Sequence, residues 1–271
     1  MGAPAVSTSI ARLNSYCMSL SWFTQESSSV WYAAAERISP TTRSAFVSRE
    51  VAACIDRAWD AAGLRAWQAS SDVWRPFCAE AAVAQAGGAA PLDEALLAAC
   101  WRRAVDWAGS PREERPNFAP AFEPLARLPR QLADVIPNLG SQLSLRARPL
   151  GELWDARGPG LLRRLESELQ RSLPPVSIHW VHPFRGGGGW AEPRLHVVFM
   201  EAVLVNPWAP IPEPLRLAWL IAQCAAQLSP EALIPAVLAA GEYVEWTTCD
   251  RSHIALAHQA WLGKDDAEHV S

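Results

Sequence analysis

The sequence predicts a mainly α protein with a small α+β part, in which an N-terminal helical bundle precedes a domain with a small antiparallel sheet and helices. Two observations lead to this prediction. The first half of the chain repeats its apolar residues at helical spacing, whereas the second half places two short strand-like runs between helical segments. A proline-rich stretch separates the halves and predicts a domain boundary.

The N-terminal segment, residues 1–39, is rich in serine and carries scattered aromatic residues. We predict that it is partly disordered and that its aromatic residues, such as Trp22 and Trp31, pack onto the rest of the protein, because exposed tryptophans lower solubility.

The helical bundle domain, residues 40–108, contains three predicted helices. The first starts at Ser39-Pro40, an N-cap followed by a proline suited to the first helical position, and ends at Gly63. The other two are predicted over about 72–86 and 92–108. Residues 109–137 follow with prolines at six positions, a density that excludes a long regular element and predicts a linker or a strap over the surface.

The α+β domain, residues 138–271, is predicted to begin its regular structure with a helix at Gly158-Pro159-Gly160. Strands are predicted over Val176–Trp180 and Leu195–Val205. The segment Glu213–Leu228 is apolar on most sides, which predicts a largely buried helix. Two further helices are predicted, one starting at Ser229-Pro230 and one covering about 252–262.

The composition limits the classes of function. The net charge of −4 and the pI near 5.9 lack the basic excess of a protein that coats nucleic acid. The six cysteines show no C-x-x-C spacing and are predicted to be free thiols in a reducing compartment. No apolar run is long enough to span a bilayer, and Met1–Ser9 lacks the features of a signal peptide, so we predict a cytoplasmic protein without a membrane partner.

Two patterns suggest ligand sites but are interpreted as structural. A strand follows the run Gly186–Gly189, in place of the helix and lysine of a phosphate-binding loop, so the run predicts a flexible connection. His179 and His182 are three apart on a strand and point to opposite faces, and His196 can join either one only across a paired strand. We therefore predict no metal site and no cofactor.

Glu201 interrupts an apolar run over residues 197–205. Burial would raise the pKa of its carboxyl group, as in a general acid or base. The interpretation that we favour is an acid that faces outward on an edge strand and blocks unwanted pairing. The catalytic alternative would combine Glu201 with His179 or His196.

The chain contains fourteen tryptophans, spread over its whole length. Packing inside the core explains most of them. The alternative is a protein-binding surface, since tryptophan and arginine are enriched at interfaces, and its candidate residues are Trp190, Trp208 and Trp219.

The order of elements from about 158 to 246 is helix, strand, glycine-rich link, strand, proline loop, buried helix and second helix. This order resembles the core of zincin metallopeptidases of the gluzincin kind. The resemblance implies that Leu195–Val205 is a substrate-binding edge strand and that the buried helix carries His-Glu-x-x-His. That helix reads Arg216-Leu-Ala-Trp-Leu-Ile-Ala-Gln223 instead, without the ligands, although Glu242 or Glu245 could stand where the third ligand would be. The resemblance therefore implies a degenerate domain without zinc.

These observations favour a non-catalytic interaction or structural protein, acting as a homo-oligomer or as a subunit of a complex, with a protein as its partner. The alternatives are a hydrolase that uses Glu201 with His179 or His196, and nucleic-acid binding through residues 146–171. The non-catalytic hypothesis assumes that the buried helix presents only hydrocarbon, indole, amide and thiol groups. A cluster of ionisable side chains against that helix would contradict it.

Overall fold

The computed structural model describes residues 18–38, 48–61, 71–86, 93–108, 119–204, 210–225 and 228–262. These residues form a mainly helical protein with a small four-stranded sheet, which confirms the predicted fold class. The described helices are α1 (Glu26–Ile38), α2 (Arg49–Ala61), α3 (Ser71–Ala86), α4 (Glu94–Ala108), α5 (Ala119–Val135), α6 (Leu139–Leu169), α7 (Glu213–Gln223), α8 (Pro230–Tyr243) and α9 (Arg251–Leu262). The strands are β1 (Leu20–Phe23), β2 (Val176–Val181), β3 (Gly189–Glu192) and β4 (Val197–Glu201).

The sheet is mixed, with the strand order β1-β2-β4-β3. Strands β1, β2 and β4 are parallel, and only β3 runs antiparallel to its neighbour β4. The predicted antiparallel sheet is therefore wrong in its strand directions. The strand predicted as an edge over Leu195–Val205 is the central strand β4, and the edges are β1 and β3.

The sheet separates two hydrophobic cores, because alternate residues of each strand point to opposite faces. In β4, Val197 and Phe199 face the N-terminal core, which is formed with α1 to α5. Val198 and Met200 face the C-terminal core, which is formed with α6 to α9. We call the two sides of the sheet the N-terminal face and the C-terminal face.

The segment before Ile38 contributes a strand and a helix to the fold. Strand β1 pairs with β2, and most of α1 is fully buried in the N-terminal core. The prediction that its aromatic residues pack down is confirmed for Trp31, which is buried, whereas Trp22 stacks on Trp180 but stays 37% exposed. Residues 18–38 form β1 and α1, and the rest of the segment predicted to be partly disordered, residues 1–17 and 39, lies outside the described residues.

Helix α5 contains prolines that were expected to exclude it, and α6 begins well before the start predicted for it. Helix α5 lies within the predicted proline strap, and α6 continues through Pro149 and through the predicted start at Gly158-Pro159-Gly160. Pro149 and Pro159 lie on the exposed side of α6, where water can bind the carbonyl group that each proline leaves without a partner. The exclusion of a regular element over 109–137 is therefore wrong for α5.

Helices α3, α4, α8 and α9 follow their predictions closely, whereas α1 was not predicted and α2 begins at Arg49, well after the predicted start at Ser39-Pro40. Helices α3 and α4 occupy the predicted ranges, and Ser229 caps α8 by accepting a hydrogen bond from the backbone N–H of Ala232. Ser48 caps α2 through the N–H of Val51, while the predicted cap at Ser39-Pro40 lies outside the described residues. Helix α7 ends at Gln223, earlier than predicted. None of the helices that the structure describes has the length and apolar character needed to cross a bilayer.

Candidate functional site

Glu201 is the last residue of β4, and its side chain is fully buried on the N-terminal face. Its two carboxylate oxygens accept hydrogen bonds from the loop that follows β2. Oε1 accepts from the backbone N–H of Arg185 at 2.9 Å, and Oε2 accepts from that of Gly187 at 2.7 Å. The prediction of an outward-facing acid on an edge strand is therefore wrong, because β4 is central and Glu201 points inward.

The glycine run turns the loop so that its amides converge on Glu201. Gly186 and Gly187 have φ angles of 79° and 133°, a backbone conformation that favours glycine. Backbone N–H groups that converge in this way, here those of Arg185 and Gly187, form an anion-binding concavity, which holds a side chain of the same chain. The run thus connects β2 to β3, and its glycines also position donors for Glu201.

Helix α1 adds two polar side chains to this position. The Arg185 guanidinium forms a buried ion pair with Glu36, with 2.8 Å between Nε and Oε2, and also donates to the Glu36 backbone carbonyl at 2.6 Å. The Tyr32 hydroxyl faces Glu201 but has no well-aligned hydrogen bond among the described residues. Burial, followed by the negative charge of Glu201, raises the pKa of Tyr32 well above its ordinary value.

Helix α7 carries two further buried charges, which the sequence-based prediction missed. Glu213 and Arg216 are 5% and 2% exposed, and their side chains approach to 3.3 Å. Arg216 Nε and Nη1 and Glu213 Oε2 have no hydrogen-bond partner in the described part of the chain. The assumption that this helix presents only apolar, amide and thiol groups is therefore wrong.

Together these residues form a buried polar cluster of three carboxyl groups (Glu36, Glu201, Glu213), two guanidinium groups (Arg185, Arg216) and the Tyr32 hydroxyl. Burial raises the pKa of Glu201 to about 7, and the neighbouring charge of Glu36 acts in the same direction. The two backbone hydrogen bonds and the charge of Arg216 oppose this shift. The Glu201 carboxyl group therefore exchanges its proton near neutral pH.

His179 lies on the same face of the sheet as Glu201 but has a different partner. Its Nδ1 and the Ser28 Oγ are hydrogen-bonded at 2.7 Å, with the donor set by the histidine tautomer, and its ring stacks on Phe23. Burial lowers the pKa of His179 to about 4, so the ring is neutral at pH 7. The neighbouring His182 donates its backbone N–H to the Ser29 Oγ, and burial lowers its pKa to about 4 as well.

His196 lies at the opposite end of β4 from Glu201. It is exposed in the turn between β3 and β4, with a φ of 50°. Glu201, His179 and His196 therefore do not converge, since each has its own surroundings. An open cleft of about 460 Å³ lies between α6 and the end of α8, and none of these three residues lines it.

The tryptophans proposed as interaction residues lie inside the protein where they are described. Trp190 is 3% exposed and packs on Phe199, and Trp219 is 5% exposed and donates its indole N–H to the Pro230 carbonyl at 2.8 Å. Their assignment to a binding surface is therefore wrong, and core packing explains both. Trp208 lies outside the described residues.

Within the described ranges, no three His, Cys, Asp or Glu side chains are placed to hold a metal ion together. The comparisons with protein-family models, with curated proteins and with solved structures find nothing that matches this chain.

Proposed function

We propose that this chain is a non-catalytic protein-interaction protein, and that the outer side of α6 is its binding surface. Leu145, Pro149 and Leu153 lie four residues apart on the side of α6 that faces away from the C-terminal core. Leu145 is 71% exposed and Leu153 is 51% exposed. An apolar stripe of this kind on a solvent-facing helix is typical of a surface that binds another protein.

The buried charges on α7 remove the first ground for a non-catalytic protein, which was that this helix carries no ionisable group. The proposal is supported instead by what the buried polar residues do. The Glu201 oxygens bind loop amides, Glu36 binds Arg185, and His179 binds Ser28. The ion pair of Glu36 and the hydrogen bond of His179 join elements that are distant in sequence, and the bonds of Glu201 hold the loop that follows β2, as expected of groups that fix the fold. A buried polar cluster that specifies one packing arrangement has no need of a substrate.

We also propose that residues 158–246 form a degenerate zincin-like core. In support, α7 lies against β3, which is an edge strand of the described sheet and runs antiparallel to β4. Leu220 of α7 approaches Gly189 of β3 so closely that a Cβ there would lie 2.8 Å from Leu220. Arg216 and Leu220 have the four-residue spacing of the two histidines in His-Glu-x-x-His, and neither side chain is a zinc ligand.

The interaction surface is tested with the double variant Leu145→Glu/Leu153→Glu. Light scattering and chemical crosslinking of the wild-type chain are expected to detect self-association or capture of a defined protein, and the variant is expected to lose it. Leu204→Glu is the matched control, since Leu204 is 60% exposed and lies outside α6. The proposal is contradicted if the wild-type chain stays monomeric and captures no protein. It is also contradicted if Leu204→Glu loses association as the double variant does.

The second candidate is a hydrolase that uses Glu201, and the pKa of about 7 favours it because such a group can both donate and accept a proton near neutral pH. The buried charges on α7 favour it too. The test is hydrolysis of ester and peptide substrates by the purified chain and by Glu201→Gln. Activity that disappears in the variant while its fold is retained supports this candidate, and activity that is equal in both chains removes it.

A further inference from the structure

Strand β1 forms an open edge of the sheet. Its only neighbour in the described sheet is β2. All four of its residues are at least partly exposed, and Trp22 is 37% exposed. The outer side of an edge strand carries backbone N–H and C=O groups that its own sheet cannot bind, and such groups can pair with another strand.

The register of β1 shows which backbone groups face outward. The N–H of Val176 donates to the carbonyl oxygen of Ser19 at 3.2 Å, while Leu20 is the residue that lies opposite Val176. In a parallel pair this places the inward-facing groups on Ser19 and Ser21, on either side of Leu20. The N–H and C=O groups of Leu20 and Trp22 therefore point away from β2, and none of the described residues binds them.

The sequence around β1 lacks the charged residues and prolines by which edge strands often avoid pairing. The strand reads Leu-Ser-Trp-Phe, and residues 13–25 include neither a charged residue nor a proline. The Trp22 ring stacks on Trp180, with 5.6 Å between the ring centroids, and so is held beside the open edge. This edge is therefore suited to an uncharged strand that covers the indole ring.

We propose that β1 pairs with β1 of a second copy of this chain, antiparallel about a two-fold axis at Ser21. In this arrangement Leu20 of each copy lies opposite Trp22 of the other. Opposite residues of an antiparallel pair whose backbone groups face each other exchange both of their N–H···O bonds. The two Leu20–Trp22 pairs therefore form four hydrogen bonds, because the outward groups of β1 are complementary to themselves.

The side chains of β1 agree with this pairing. Directly opposite residues of an antiparallel pair point to the same face of the sheet. Leu20 and Trp22 both lie on the C-terminal face, so each Trp22 ring is covered by Leu20 of the other copy. The two Ser21 side chains meet on the opposite face, where both are small and uncharged. A second copy therefore fits this edge in side chains as well as in backbone.

The dimer is expected to depend on protein concentration. A stable interface buries about 1,000 Å² or more, and two four-residue strands supply less than this by themselves. The contact does not rest on the α6 surface proposed above. Strand β1 lies at an edge of the sheet, whereas the α6 stripe faces away from the C-terminal core.

Ser21→Cys tests the pairing in the whole chain. The two Cα atoms at the axis would lie about 4.5 Å apart, within the range that a disulfide spans. Mild oxidation should link this variant into dimers, also when it is combined with Leu145→Glu/Leu153→Glu, so the result is independent of the α6 surface. Ser167→Cys, exposed near the end of α6, is the matched control and measures the background from the native cysteines. Equal amounts of linked dimer in the two cysteine variants overturn the proposal.

Hydrogen exchange provides a second measurement on the unmodified chain. Between about 10 μM and about 1 mM protein, protection of the Leu20 and Trp22 amides should rise about fourfold for a Kd on the order of 100 μM. The inward amide of Ser21 should stay constant. Ser21→Glu places like charges opposite each other and should remove the rise, whereas Ser167→Glu should keep it. Strong protection at every concentration would mean that the same chain, for example residues 1–17, covers the edge. That result overturns the proposal, and so does weak protection at every concentration.

Discussion

The two faces of the sheet are built from the same strands but differ in chemistry. On the C-terminal face, β2 and β4 present only apolar residues, among them Ile178, Trp180 and Met200. On the N-terminal face the same strands present His179 and Glu201 as well as Phe199. Both faces are equally buried, so the difference lies in what covers them. Helix α1 supplies Ser28, Tyr32 and Glu36 as polar partners, whereas the helices on the other side supply mostly hydrocarbon and aromatic rings, with Glu213 and Arg216 of α7 as buried exceptions.

This difference shows that burial does not decide polarity in this molecule, because side chains that are equally buried are polar on one face of the sheet and apolar on the other. Polar groups on the N-terminal face are specified by a few directional contacts, and each one is sensitive to pH or to loss of its partner. Packing on the C-terminal face depends on volume alone. Substitutions on the two faces should therefore differ in how their effect on stability depends on pH, as well as in the free energy of unfolding that they remove.

The largest effect is expected for Arg185→Ala on the N-terminal face. This change leaves the Glu36 carboxylate buried without its ion-pair partner, and loss of one partner of a buried pair costs about 3–5 kcal/mol. Chemical denaturation should show this loss in the free energy of unfolding. A loss below about 1 kcal/mol would mean that the pair is accessible to water and that the two faces are more alike than described.

The next effect is a pH dependence carried by Glu201. Its pKa is raised in the folded protein from 4.5 to about 7, so the folded chain binds the proton more tightly than the unfolded chain. The stability that this proton provides is complete below pH 4.5 and is lost as the pH rises to about 7. The wild-type chain should therefore lose about 3 kcal/mol relative to Glu201→Gln across this window. If the free energy of unfolding changed with pH in the same way in both chains, the Glu201 carboxyl group would not be buried.

His179 should give an effect of similar size and opposite sign. Its pKa is lowered from 6.5 to about 4, so the unfolded chain binds the proton more tightly. The wild-type chain should lose about 3 kcal/mol relative to His179→Gln as the pH falls from 6.5 to 4. Denaturation curves measured at several pH values separate this change from the constant cost of losing the contact with Phe23. If acid changed the free energy of unfolding of the wild-type chain and of this variant equally, the His179 ring would be solvated.

The smallest effect is expected for Ile178→Val on the C-terminal face. Ile178 is fully buried in the C-terminal core, and removal of one buried methylene group costs about 1 kcal/mol. The loss should be equal at pH 5 and pH 8 in denaturation experiments. A loss that changes with pH would show that the two faces are coupled through the sheet.

The sequence predicted the helices whose signals are local and missed features that depend on distant partners. Helix α8 was found because Ser229-Pro230 is a start signal, and α3 and α4 because their apolar residues repeat. Strand β1 was missed because its four residues gain strand character only by pairing with β2. Helices α5 and α6 were misjudged because prolines stop a helix only where the lost hydrogen bond cannot be replaced.

Only part of the site was predicted, because the site too depends on contacts between residues that are distant in sequence. Glu201 was recognised because an acid inside an apolar run is unusual, but strand order decides whether such an acid faces solvent, and no local pattern encodes strand order. The same signal was present at Glu36, which ends the run Val30-Trp-Tyr-Ala-Ala-Ala, and at Arg216, between Leu215 and Leu217. A search for single charges inside apolar runs would have found Glu201 and Arg216, whereas Glu36 lies at the end of its run and is followed by Arg37.

The parallel pairing of β1 with β2 sets a condition on how the chain folds. Leu20 pairs with Val176, and α1 to α6 lie between these residues in the chain. A ribosome must therefore release more than half of the chain before the first strand can meet its neighbour. Contacts over such a separation carry a high entropic cost of closure and slow the folding of the whole molecule. During that delay the apolar residues of α1 would be exposed, and a chaperone that binds nascent chains would have its clearest target there.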